Sequence, residues 1–369
     1  MERIGLVGLP NSGKTSLFNA LTGREAPVAS HPFTTTETSV GVASLPDPRL
    51  DALAEMSKSR KVVRAGVEMV DIAGLVAGSS TGEGLGNRFL GGIREVDALL
   101  LVLRAFEDPE VMGEADPVGS LQTLELELVL ADLASIESQI DRRRKAARAD
   151  KSLAPEVDAM ERAREVLEQG IPLYRSDPPP DESSKSSEAR DEERQLRKGL
   201  FLLTDKPVLA VVNIGEDQIA VSETLSKGVA GELDGHGEVL AVCVQLEAEA
   251  SRLAEDERAE LSEELGLGEG ALARVARSAY HLLGRRTFLT TGDKESRAWS
   301  FRAGSTAPEC AGVIHSDLQR GFIRAEVIHW DQLLQIGSWN AAKAAGKLRV
   351  EGSQYVVEDG DVLEIRFNV

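Results

Sequence analysis

Apolar residues along the chain fall into two kinds of run. Continuous ones at 2–7 (ERIGLV), 67–72 (VEMVDI), 97–103 (DALLLVL), 207–213 (PVLAVVN) and 238–244 (EVLAVCV) are separated by Gly-rich loops and helical spacing. Continuous apolar strands with helices between them predict a parallel sheet covered on both faces. The five runs therefore predict one doubly wound α/β domain, built from residues 1–119 and 201–285.

That domain is interrupted. From 120 to 200 no strand pattern occurs, and Leu121, Leu124, Leu128, Leu133, Ile136 and Ile140 recur at helical steps. A long amphipathic helix follows, with 156–170 as its antiparallel partner, ended by Gly170 and Pro172. The stretch SDPPPDESSKSSEARDEER (176–194) is Pro- and Ser-rich and reads as a polar surface loop. Residues 286–369 change period again, to short alternating strands with turn residues between them, predicting a separate β-rich domain.

Charge sharpens this division. The chain of 369 residues carries a formal charge of −19 from 42 basic and 61 acidic residues. Residues 285–369 hold 11 of each sign, so the acidity lies in the rest. A chain this acidic does not coat nucleic acid by bulk attraction, and any RNA contact needs a local patch. Cys243 and Cys310 form no CxxC pair, which excludes a disulfide framework or a Cys-based zinc site and fits a reducing cytoplasm. The N-terminus lacks the layout of a signal peptide and no apolar run approaches about 18 residues, so the expectation is a cytoplasmic protein without a membrane span.

The first strand runs into Gly8-Leu9-Pro10-Asn11-Ser12-Gly13-Lys14-Thr15, a full GxxxxGK[ST] pattern followed by helical spacing. Strand, loop and helix in this order make a phosphate cradle. Glycines let backbone N–H groups curl around a phosphate, Lys14 supplies a point charge, and the Thr15 hydroxyl is placed for Mg²⁺. Asp71-Ile72-Ala73-Gly74 closes the second long strand, where an acid holds Mg²⁺ through water and the Gly74 amide senses the γ-phosphate. Thr35, with Thr34 and Thr36 as competitors, lies between these motifs, where a switch loop donates a threonine to the metal. After Gly74 stands Leu75, which cannot orient a water as a glutamine would, and Gly78, Gly82, Gly84 and Gly86 follow in a Gly-rich switch loop.

Base recognition departs from the guanine pattern Asn-Lys-x-Asp. The chain offers Asn213-Ile214-Gly215-Glu216, with the lysine gone and the acid one methylene longer. This favours ATP over GTP; the alternative is that Asn213 merely braces the phosphate loop and the base is poorly discriminated. The five histidines have no ligand spacing among themselves. The run Arg142-Arg143-Arg144-Lys145 with Arg148 sits at a predicted helix end, either as a solvated tip suited to the helix dipole or as an RNA contact.

Taken together, GLVGLPNSGKTSLFNALTG, HPFTTTETSVGVASLPDPRLDALA, VEMVDIAGLVAGSSTGEGLGNRFLGGIREVDA and the terminal AGVIHSDLQRGFIRAEVIHWDQLLQIGS with EDGDVLEIRFNV resemble the YchF or Obg-like ATPase family, over nearly the whole chain. The resemblance implies a P-loop G domain split by a helical coiled-coil hairpin (120–200) and followed by a β-grasp TGS domain (286–369). It implies ATP binding, slow hydrolysis and association with ribosomes. It further implies that Asn11, Ser12, Gly13, Lys14, Thr15 and Ser16 contact the phosphates, that Thr15 and Thr35 hold Mg²⁺, and that Ile214 packs at the adenine. Asn11 matches a position that helps bind K⁺ in related GTPases.

Two departures stand out. Many family members carry a His soon after Phe-Glu-Asp, but no His follows Phe106-Glu107-Asp108 before His236. Thr34 stands where many members have Cys. The sequence thus predicts an ATP-operated switch, with a GTPase on the same scaffold and a non-hydrolysing nucleotide-dependent binding module as alternatives.

Overall fold

The computed structural model describes residues 2–24, 38–72, 85–109, 111, 115–176, 195–250, 253 and 270–368. Its contacts divide the chain into two units, Met1–Val42 with Glu68–Ala279, and Ala43–Val67 with Tyr280–Val369.

In the first unit β1 (Arg3–Val7) leads into α1 (Lys14–Thr22), and β2 (Ser39–Ser44) begins after residue 38. The excursion α2 (Pro48–Ser57) and β3 (Val62–Val63) precedes β4 (Gly66–Asp71). Helix α3 (Leu85–Arg94), β5 (Ala98–Arg104), α4 (Pro117–Ala149), α5 (Ala154–Glu168) and α6 (Leu173–Ser176) come next. Then β6 (Val208–Asn213), α7 (Ser222–Leu233), β7 (Gly237–Val242), α8 (Val244–Ala250) and α9 (Ala271–Leu282) complete the chain path up to Leu282.

The sheet order is β2-β4-β1-β5-β6-β7, and β4, β1, β5, β6 and β7 run parallel. Strands β5 and β6 are buried at every position, as continuous apolar runs covered on both faces require. All five expected strands are present, and β2 is a sixth. Its sequence SVGVAS carries no apolar run because its valines face outward, with Gly41 and Ala43 turned inward. A Cβ at Gly41 would lie 2.8 Å from Thr22 and 3.1 Å from Phe18, so only glycine lets this strand pass α1.

The expected helical hairpin is α4 and α5. Asp116 caps α4 by accepting from the Gly119 N–H at 3.0 Å, and Pro117 starts the helix. This single 33-residue helix serves two cores. Leu121, Leu124, Leu128 and Ala131 pack with Leu99, Leu101 and Leu103 of the sheet, whereas Val129, Ile136 and Ile140 pack with Met160, Ala163 and Leu167 of α5. The hairpin is therefore rooted in the sheet domain. A buried Asp132 seals the root, accepting from the Leu203 and Thr204 N–H groups at 2.8 Å each and from the Thr204 hydroxyl at 2.7 Å. The polar loop expected at 176–194 lies, from residue 177 on, outside the described residues.

The second unit contains β8 (Arg285–Thr290), β9 (Ser296–Arg302), α10 (Ala307–Ile314), α11 (Ser316–Arg320), β10 (Phe322–His329), α12 (Trp330–Ile336), α13 (Trp339–Ala344), β11 (Arg349–Glu351) and β12 (Asp361–Phe367). Its sheet has the order β11-β10-β12-β8-β9-β3. The β8–β9 hairpin, the helix α10 crossing one face and β12 running parallel to β8 make a β-grasp arrangement. Phe288, Phe301, Ala307, Cys310, Val327 and Leu363 form the core under α10.

Residues 43–67 were expected within the nucleotide-binding block, and here the structure differs: they belong to the β-grasp unit. Helix α2 packs on β9 and α12, burying Leu50 and Leu53 completely, while β3 extends the sheet by pairing with Ser296 and Arg297 of β9. Arg49 grips Asp47 through two nitrogens at 2.9 and 2.8 Å and reaches Asp359 at 2.6 Å, whose other oxygen accepts from the Thr287 N–H. Helical spacing in 48–57 shows that Leu50 and Leu53 need burial, and does not show against what.

Candidate nucleotide-binding site

The loop between β1 and α1 is shaped for close approach. Gly13 has φ 92°, a left-handed value, and a Cβ there would lie 2.2 Å from the Asn213 Nδ2. At Gly8 a Cβ would meet the Val102 carbonyl at 2.5 Å and the Ser12 hydroxyl at 2.6 Å. Asn11 also adopts a left-handed φ of 60°, which asparagine tolerates better than most residues.

Lys14 is buried and its ammonium donates to the Leu9 carbonyl at 2.8 Å, across the mouth of the loop. Burial lowers its pKa to about 8, with the Asp71 carboxylate pulling the other way. The Thr15 hydroxyl donates to Asp71 Oδ2 at 2.8 Å. Burial raises the Asp71 carboxyl, against the Thr15 hydrogen bond and the charge of Lys14. Among the described residues, Asp71 Oδ1 and Ser12 Oγ are buried without a hydrogen-bond partner. Buried polar atoms without partners are costly, so a ligand that completes them is favoured there. A hydroxyl and a carboxylate side by side are hard oxygen donors of the kind Mg²⁺ takes together with phosphate and water. The residues present fit that ion.

Asn213 ends β6 and joins three segments. Its Nδ2 donates to the Ser12 carbonyl at 3.0 Å, its Oδ1 accepts from the Val244 N–H at 3.3 Å, and its carbonyl accepts from the Ala105 and Phe106 N–H groups. Both ends of its amide are thus spent on bracing the phosphate loop and the turn after β7. Ile214, expected against the base, is 5 % exposed and belongs to the hydrophobic core. The core claims its side chain because β6 is flanked on both sides, leaving Glu216 as the exposed side chain of the quartet.

Sequence reasoning missed Gln218. Its Oε1 accepts from the Gly215 N–H and its Nε2 donates to the Ala105 carbonyl, each at 2.8 Å, fastening the quartet to the end of β5. The three-residue spacing from Gly215 is that of a helix-start cap and was the available signal. Val244 was missed too, because a backbone N–H leaves no trace in sequence. Ser16 lies in the first turn of α1 beside Thr15. Thr35 and Gly74, with Thr34, Thr36 and Leu75, lie outside the described residues.

Comparison with known proteins follows the same line. The family described as 50S ribosome-binding GTPase matches residues 3–140, and the YchF-GTPase_C family, described as a protein of unknown function, matches residues 286–368. The ribosome-binding ATPase YchF of Bacillus subtilis is 44 % identical over 99 % of each chain. That of Haemophilus influenzae is 43 % identical over 100 % of this chain and 99 % of its own. The solved YchF GTPase of Schizosaccharomyces pombe is 31 % identical, with a TM-score of 0.82 over 99 % of this chain and 97 % of that one.

Proposed function

The chain belongs to the YchF family, and on that premise we propose that it is a ribosome-associated, Mg²⁺-dependent ATPase whose nucleotide state governs its docking. The observation that carries this reading is the phosphate loop with the Thr15 hydroxyl on Asp71 and two buried oxygens left open beside Lys14. Asn11 to Ser16 hold the phosphates through backbone N–H groups, the α1 N-terminus and the Lys14 ammonium. Thr15 and Thr35, with Asp71 acting through water, would hold Mg²⁺, which would supply countercharge to the phosphates.

Base choice rests on the quartet after β6. Guanine rewards a carboxylate that accepts from two ring donors, whereas adenine presents an acceptor at that edge. With Asn213 used as a brace, Ile214 in the core and the Ile214 and Gly215 N–H groups donating to Val242 and Gln218, the exposed Glu216 is the side chain the quartet has left for a base. The bracing of Asn213 by itself favours neither base, so the preference for ATP rests on the missing lysine and the longer acid at Glu216.

Gly74 senses the γ-phosphate, and Leu75 behind it offers no hydrogen bond to a water. Hydrolysis is accordingly slow by itself and accelerated when a partner supplies the missing group. Asn11 recruits K⁺, so equal rates in Na⁺ and K⁺ overturn that assignment. No helix among the described residues is long and apolar enough to cross a membrane, and a ribosomal partner puts the protein in the cytoplasm. The test is single-turnover ATP hydrolysis with and without ribosomes. Stimulation supports the reading, and no cleavage under either condition assigns the protein to a non-hydrolysing binding module.

A further inference from the structure

The hairpin tip carries four cations that make no ion pair among the described residues. Residues 141–151 hold six cations and two acids in a chain of net charge −19. Two of the six are spent inside the hairpin: Arg143 pairs with Glu156 at 3.0 Å, and Arg144 with Glu161 at 2.8 Å. Asp141 lies 3.5 Å from Arg144, and Asp150 accepts from the Ser152 N–H and hydroxyl while keeping its negative charge, and neither makes an ion pair with the other four cations. Arg142, Lys145, Arg148 and Lys151 are exposed and make no ion pair or hydrogen bond among the described residues.

The helix dipole accounts for little of this. Its effect is confined to the last turn, which contains Arg148 alone of the four. Arg142 and Lys145 lie before it. Positions three and four residues either side of Arg142 are Ser138, Gln139, Lys145 and Ala146, so no carboxylate at helical spacing answers it, while Lys145 has Asp141 four residues before it without an ion pair between them. At 100° per residue, Arg142, Lys145 and Arg148 fan across an arc of about 120° and span about 9 Å. Lys151 continues the row past the helix end.

Position matters as much as charge. Ala131 is the last residue of α4 in the sheet-domain core, and Arg142 stands eleven residues beyond it, about 16 Å along the axis. That is twice the screening length of about 8 Å at physiological salt. The acidic body repels phosphate, and the hairpin sets the cations away from the sheet-domain core, with Glu137, Asp158 and Glu161 as acids of the hairpin itself. A row of exposed, unpaired Arg and Lys fits a polyanion whose charges repeat along a strand, better than it fits one carboxylate on a folded protein.

We propose that Arg142, Lys145, Arg148 and Lys151 form a contact to the RNA phosphate backbone through which the protein docks on the ribosome; this rests on the ribosome-associated reading above. Arg143 and Arg144, tied to α5, belong to the hairpin's internal structure. The contact positions the protein without reading sequence.

The test uses the full chain with ATP and Mg²⁺, in co-sedimentation with ribosomes and in anisotropy titrations of a 20-base-pair RNA duplex, at 50–200 mM salt. The variant joins Arg142→Gln, Lys145→Gln, Arg148→Gln and Lys151→Gln, which keep helix propensity. Ribosome and duplex affinities are expected to fall at least tenfold at 100 mM salt. The slope of log K against log salt is expected to flatten by about 3, from four contacts at about 0.7–0.9 each. If the combined variant misfolds, Arg142→Gln alone is expected to flatten the slope by about 0.7–0.9. Unchanged affinity and slope, while the unaltered protein binds ribosomes, overturn the proposal. Loss on ribosomes with duplex binding unchanged overturns it in favour of a protein contact. Failure of the unaltered protein to sediment overturns the ribosome-associated reading itself.

Discussion

The side-chain amide of Asn213 donates to the carbonyl of Ser12 across 3.0 Å, joining residues 201 apart in the chain. Its oxygen is held from the other side by the Val244 N–H. The phosphate loop and the quartet 213–216 are therefore one mechanical piece. Asn213→Ala leaves a carbonyl and an N–H unpaired in a buried place, at about 1–3 kcal/mol each. ATP and GTP affinities are expected to fall together by about tenfold or more, which calorimetry reads directly. A change in the ATP to GTP ratio with little loss of either would contradict the bracing role.

Gly13 faces the same amide. With φ at 92° and the Asn213 Nδ2 2.2 Å from where a Cβ would sit, Gly13→Ala must displace the brace. The expected outcome is loss of measurable nucleotide binding. A destabilisation of about 1–3 kcal/mol for the strained backbone accompanies it. Thermal unfolding with and without ATP separates the two effects, because only the unaltered protein should gain stability from nucleotide.

The β-grasp unit draws α2 and β3 from residues 43–67, and a fragment of residues 280–369 lacks them. That fragment exposes the surface covered by Leu50 and Leu53 and leaves Asp359 without Arg49. It is expected to show exchange-broadened NMR spectra, and a peptide of residues 43–67 is expected to sharpen them. Sharp, dispersed spectra of the fragment alone would show that the excursion is dispensable.

Much of the sheet domain was legible because its central strands are buried on both faces and so read as continuous apolar runs. Strand β2 was hidden by its outward valines and inward Gly41 and Ala43. The phosphate loop was legible because close approach to phosphate restricts residue type along a contiguous stretch. The Asn213–Val244 and Gln218–Ala105 links were not, since each depends on which strand ends meet in three dimensions. Asp132 reads as one more polar position on an amphipathic helix, and only the returning chain at Leu203 and Thr204 explains its burial.

Asp132 has its own pH signature. Burial raises its pKa from 3.8 to about 6, overcoming the hydrogen bonds it accepts. The folded state therefore binds more protons than the unfolded state between these values. Stability from this group is fully present below pH 3.8 and is lost as pH rises through 6. Asp132→Asn removes that dependence, so its penalty is expected to shrink by about 2–3 kcal/mol between pH 4 and pH 7.5. Hydrogen exchange at the Leu203 and Thr204 amides, corrected for intrinsic rates, measures it, and a penalty that grows with pH would reverse the assignment.

The most direct test of the account is a pair of titrations by calorimetry, ATP and GTP, with Mg²⁺ and K⁺ present. The missing lysine and the longer acid at Glu216 predict binding of ATP at least tenfold tighter than GTP, a difference of about 1.4 kcal/mol. Equal or tighter binding of GTP would contradict it and make the protein a GTPase on this scaffold.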